Sequence, residues 1–147
     1  MGYILFGFSL FPTQIAMDGT VLQIITHGIS KGLFFLSAGA IMSQLSLRNI
    51  KDMGGLAGKM PTTSTSSIIA ALSLSGTPPF ACFISEVLIF MGAFQTIQAG
   101  ASFFIVTTAL MLVSTVLSLA YSLRFISTVF FGPTKPGMDL KQIRLPK

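Results

Sequence analysis

The residue of this chain with the most chemistry in the most costly place is Glu86, a carboxylate inside the apolar run FACFISEVLIFMGAF. A charge at the centre of a bilayer costs about 2.5–3.5 kcal/mol even on insertion scales, so an intramembrane carboxylate marks a functional site by default. Proton or ion movement is the chemistry it points to. A second group stands in VLQIITHGISKGLFFLSAGA, where Gln23, His27 and Lys31 recur at intervals of four. That spacing draws a stripe over about 12 Å of helix axis. In lipid such a stripe is expensive, so it is expected to face protein or water. Histidine changes charge near neutral pH and a buried lysine gives up its proton more readily, which suits both to a proton relay. The plainer alternative is a polar stripe that hydrogen-bonds two helices together.

Ahead of Glu86 lies the tetrapeptide Gly76-Thr77-Pro78-Pro79. Two prolines remove two backbone donors and clash with the preceding turn, while Gly76 permits an unusual backbone angle. The spacing predicts a helix broken at membrane depth, which is tolerated where protein or a water-filled cavity satisfies the freed carbonyls. A simple kink is the alternative reading. Arg124 is long enough to snorkel to the interface, a structural role ranked ahead of a transport role. Ser114, Ser118 and Tyr121 read as a helix-contact face and Cys82 as a packing residue.

The elements that must position these groups are membrane spans. Hydrophobic residues make up 52% of the 147 and charged residues 9%, with a mean hydropathy of +0.81. Apolar runs exceed the roughly 20 residues that cross a bilayer, so the chain reads as an integral, all-α membrane protein. Residues 1–131 form the membrane region: a partial helix at 1–11, and spans at 19–44, 66–96 (broken at 76–79) and 101–131. A polar tail follows at 132–147. The first stretch resembles the last part of a helix, and no secretory signal is evident.

Nine Lys plus Arg against four Asp plus Glu give a net charge of +5. Most of the cations fall in loop 46–64 (Arg48, Lys51, Lys59) and in the tail (Lys135, Lys141, Arg144, Lys147). They form no continuous basic face, so nucleic acid is not an expected partner. Two crossings separate loop and tail, and the positive-inside rule assigns both to the cytoplasmic side. A single cysteine leaves no disulfide and no multi-cysteine metal or iron–sulfur site, and no phosphate-binding glycine motif occurs. No catalytic, metal or cofactor-binding residue is therefore assigned to this chain.

HGISKGLFFLSAG, then DMGGLAGKMP, then LSLSGTPPFACFISEVLIF resembles, in order and spacing, the antiporter-like proton-pumping subunits of respiratory complex I. The same family includes the group 4 membrane-bound hydrogenases, the archaeal reduced-deazaflavin dehydrogenases and the multisubunit sodium/proton antiporters. MGYILFGF and AYSLRFISTVFFGP are similar to the flanking helices, so the resemblance covers nearly the whole chain. It implies part of the second of two inverted repeats in a fold of about 14 helices, with His27 and Lys31 on a central relay axis. Glu86 then takes the position on the broken helix where members carry Lys or Glu. Cys82 departs from a usual Gly, and Gln23 from a His found in some members.

The resemblance implies proton translocation, with sodium as an alternative ion, in a prokaryotic plasma membrane. The implied partners are other membrane subunits, including an N-terminal half or neighbouring antiporter-like subunits. Flavin, iron–sulfur clusters or a nickel–iron centre would sit in those partners. A cation/proton antiporter subunit without redox partners, and a structural or non-functional split fragment, are the competing expectations.

Overall fold

The computed structural model describes residues 1–45 and 49–134. Among the described residues five α-helices run in order: α1 (Gly2–Ser9), α2 (Gln14–Leu45), α3 (Pro61–Leu74), α4 (Ala81–Gln98) and α5 (Phe104–Val129). Two short 3-10 turns, Ile50–Asp52 and Leu56–Gly58, lie between α2 and α3. By length and composition α2, α4 and α5 are each able to cross a membrane, whereas the 14 residues of α3 are not.

The helix ends follow local rules that refine the sequence boundaries. α2 starts at Gln14 rather than Gly19, because Gln14 Nε2 donates to Asp18 Oδ1 at 3.0 Å and keeps this polar first turn helical. α3 begins on Pro61, a residue suited to the first helical position, and not at Ser66. It ends where Gly76 adopts φ +66°. There Thr77 N–H reaches Leu72 O and Gly76 N–H reaches Ser73 O, each at 3.2 Å, the paired bonds of a Schellman cap. The break thus spans residues 75–80 rather than 76–79. α4 closes the same way at Gly100, with Ala101 N–H to Thr96 O at 3.3 Å and Gly100 N–H to Ile97 O at 3.0 Å.

α3 and α4 lie end to end along α2 in the opposite direction. Ser73 and Cys82 sit beside Ser30, Ser85 beside Gln23, and Ile89 beside Gly19. The break therefore falls opposite the middle of α2. Close approach is possible because the facing residues are small. A Cβ on Gly19 would stand 2.7 Å from Leu88 Cβ and 2.9 Å from the Ile89 nitrogen, and one on Gly92 would meet Ala16.

Two apolar clusters cap this arrangement. Phe6, Leu10, Ala16, Ile89 and Ala93 pack at one end, with Phe104 against them. Ile41, Leu56, Met60, Ala71, Ile126 and Phe130 pack at the other. At this second end Ala57 N–H donates to Phe130 O at 3.1 Å, and Gly54 and Gly55 abut Pro133 and Thr134. The loop after α2 and the start of the tail are side by side, as two intervening crossings require. Arg48, Lys135, Lys141, Arg144 and Lys147, on which the charge count relies, lie outside the described residues, as does the Lys51 side chain.

Gly19→Ala is expected to destabilise the protein by about 1–3 kcal/mol, because the contacting Ile89 backbone cannot yield without shifting α4. Gly28→Ala, where a Cβ meets nothing within 4 Å, is expected to be neutral or slightly stabilising. Thermal unfolding of the two variants in detergent compares them directly.

Candidate functional site

Between the apolar clusters the helices turn polar side chains on one another. Glu86, 4% exposed, sits on the second turn of α4 with its carboxylate resting on Gly76. A Cβ at residue 76 would collide with that carboxylate, so the same glycine that makes the Schellman turn also makes room for the acid. Beside it the Ser85 hydroxyl donates to the Gln23 side-chain oxygen and lies 2.8 Å from the Cys82 carbonyl. Ser30 and Ser73 share a hydrogen bond of 2.7 Å, with Cys82 Sγ 3.8 and 3.7 Å away. Ser75 and Thr77 pair at 2.9 Å inside the break. Every buried hydroxyl named here has a partner, which is how such groups are held in an apolar bundle.

Glu86 is different. Its carboxylate has no hydrogen bond and no ion pair among the described residues. It opens instead on a cavity of about 360 Å³ shared with Gln23, His27, Ser75, Tyr3 and Thr115. The buried Nε2 of His27 likewise has no hydrogen-bond partner. Two titratable groups without hydrogen-bond partners thus face one cavity, lined by both polar and apolar side chains and large enough for several waters.

The other groups singled out in the sequence fall elsewhere. Lys31 is half-buried and is not among the residues that line the cavity, and no ion pair joins it to Glu86. The reason is geometric: each step of four residues advances about 400°, so a stripe starting at Gln23 has turned roughly 80° by Lys31. Ser30, one residue earlier, faces the break instead. Pro78 and Pro79 are exposed and Thr77 half-buried, so of the tetrapeptide only Gly76 touches the acid. Arg124 is exposed on α5. Among the described residues no group of three or more His, Cys, Asp or Glu could hold a metal.

Two features were not foreseen from the sequence. Ser114 and Ser118, expected to form a helix-contact face, line the cavity instead. Tyr3 enters it from α1; its hydroxyl donates to Met111 O at 2.8 Å and pairs with Thr115 Oγ1. A tyrosine in an apolar stretch is the signal that was available, since a buried phenol usually finds a polar partner. Tyr121 lines a separate cavity of about 210 Å³ whose other walls, among them Phe34, Ile41 and Phe125, are apolar.

Gly76→Ala is expected to cost about 1–2 kcal/mol from the left-handed backbone alone, and more from displacing the acid. Glu86 should then react faster with a hydrophobic carbodiimide, read by mass spectrometry of the α4 peptide. An unchanged labelling rate would show that the carboxylate does not depend on this glycine.

Residues 1–115 match the model of a transmembrane family described as NADH:quinone oxidoreductase/Mrp antiporter. NADH-quinone oxidoreductase subunit M of Pseudomonas aeruginosa is 31% identical over 99% of the chain and 28% of its own length. Subunit N of the same type of enzyme from Desulforudis audaxviator is 33% identical over 93% of the chain and 26% of its own length. A Staphylococcus aureus Na+/H+ antiporter subunit A1 is 34% identical over 82% of the chain and 16% of its own length. The chain therefore spans between about a sixth and just over a quarter of these curated relatives.

Proposed function

The chain belongs to the NADH:quinone oxidoreductase/Mrp antiporter transmembrane family, and from that premise we propose that its Glu86 cavity is a proton-carrying site of an ion-pumping membrane subunit. The observation that supports this most is the buried carboxylate, free of any protein partner, facing the same cavity as an unpartnered His27 nitrogen. A structural carboxylate at this depth would be paired, since an unpaired buried charge is strongly destabilising. A carboxylate that exchanges a proton with water gains from having no fixed donor.

In this reading the chain releases no redox energy itself. Partner subunits carry the flavin, iron–sulfur or nickel–iron centres of an NADH dehydrogenase, hydrogenase or deazaflavin dehydrogenase. Changes of charge in those neighbours shift the protonation of Glu86 and His27 by Coulomb interaction through a poorly screened interior. Gln23 orders Ser85 beside the acid, and Lys31 acts from outside the cavity as a fixed positive charge. Loop 46–64 and the tail face the cytoplasm of a prokaryotic cell. The likeness to a Na+/H+ antiporter subunit supports a second reading, in which the same site exchanges protons for sodium without a redox partner. Co-purification of redox subunits with the chain separates the two.

Glu86→Gln keeps the size and polarity of the side chain and removes its titration. The complex reconstituted in vesicles is expected to assemble and transfer electrons while proton uptake falls several-fold, with a smaller fall for His27→Gln. Unaltered proton uptake by Glu86→Gln, measured with a pH-sensitive dye, would overturn the proposal.

A further inference from the structure

α5 packs on the bundle near its two ends and, nearer its middle, through Met111, which lies against the same apolar cluster as Phe104. Phe104 joins one apolar cluster, and Ile126, Val129 and Phe130 join the other. Between them the side of α5 that carries Met111, Ser114, Thr115 and Ser118 faces the Glu86 cavity. Ser114, Thr108 and Thr107 spend their hydroxyls on carbonyls of α5 itself. Across this middle stretch, the side-chain hydrogen bonds that reach α5 from another helix, among the described residues, are those of Tyr3 to Met111 O and Thr115 Oγ1. The Tyr3 ring is fixed in turn by an edge-to-face contact with Phe90 of α4, with centroids 6.0 Å apart. One side chain therefore ties α1, α4 and α5 together at the wall of the cavity that holds the acid.

We propose that the Tyr3–Thr115 hydroxyl pair is a latch that holds the middle of α5 at the wall of the Glu86 cavity and so sets how freely water reaches the carboxylate. The inference rests on the reading of that cavity as a proton site and adds its regulation. Tyr3 is a positioning residue here: its hydroxyl donates to the Met111 carbonyl, which Thr115 Oγ1 also approaches at 3.3 Å, and it acts on Glu86 through the position of α5. The pair suits this task physically. Neither the Tyr3–Thr115 nor the Tyr3–Met111 bond involves a charge, so each contributes modestly and opens on thermal fluctuation. The anchored ends of α5 limit the opening to its middle, where the cavity lies.

The test uses the whole complex in lipid. Hydrogen–deuterium exchange of the Glu86 carboxyl is followed by infrared difference spectroscopy, with Glu86→Gln assigning the band, and proton uptake is measured alongside. Tyr3→Phe keeps the ring and its contact with Phe90. It is expected to speed exchange by about three- to tenfold, the factor a single neutral hydrogen bond contributes to a closed–open equilibrium, and to lower proton uptake. Thr115→Val, which leaves the Tyr3–Met111 bond in place, should speed exchange by a smaller factor, Thr115→Ser should keep the original rate, and the double variant Tyr3→Phe/Thr115→Val should match Tyr3→Phe alone. If Tyr3→Phe fails to assemble, the Thr115 pair of variants decides alone. Exchange at the original rate in Tyr3→Phe or Thr115→Val, or additive effects in the double variant, overturns the latch. If Glu86→Gln stops uptake while both hydroxyl variants behave as the original, the proton site stands and only the latch falls. If Glu86→Gln leaves uptake intact, it is the proton-site reading that falls.

Discussion

The constraint on which the rest of this structure depends is a carboxylate buried among membrane-spanning helices with no ion pair or hydrogen bond among the described residues. Desolvating an ionised group of this kind is far more costly than any single packing contact can offset. The surroundings of Glu86 respond in two ways. The backbone gives way, through a helix break whose Gly76 leaves space for the acid. The neighbouring polar groups satisfy one another, as Ser85 does with Gln23 and Ser30 with Ser73, so that none competes for the carboxylate. What remains for Glu86 is the cavity.

The break therefore has a double role that prolines alone would not supply. Pro78 and Pro79 prevent α3 from running into α4, but they point outward. The Schellman turn at Gly76 closes the end of α3 with its own backbone, returning two N–H groups to helix carbonyls. Few of the freed groups are then left to lipid. The break is a hydrogen-bonded turn rather than an unravelled segment, and the acid rests on its Gly76.

Much of this was legible in the sequence, and the rest was hidden for physical reasons. Glu86 and the glycine–proline break stand out because charge and helix breakers are conspicuous in an apolar chain. Gln23 and His27 share a cavity as their spacing suggested, but the interval of four overstates the reach of one face, and Lys31 has rotated away from it. The roles of Ser114 and Tyr3 depend on where α5 stands relative to α1 and α4. That distance is set by the apolar clusters at the helix ends and leaves no periodic trace. The start of α2 at Gln14 was masked by polar residues that pair with each other across one turn.

The two apolar clusters bear on how an ion could reach the acid. Phe6, Leu10, Ile89 and Ala93 fill one end of the bundle, and Ile41, Leu56 and Phe130 fill the other, all nearly inaccessible. Side chains packed to this density admit water only if they move, and apolar gaps of small volume stay dry. A continuous water column along the helix axes is therefore incompatible with this arrangement. The cavity that Glu86 and His27 line lies between the two clusters. In the proposed proton-carrying reading that separation has a use, because a site open to both sides at once would let the ion run down its gradient. Coupling in that reading would lie in whatever loosens one wall at a time. α5, anchored at its ends and tethered at its middle by neutral hydroxyls, is the wall that yields with the least disruption of the packed core.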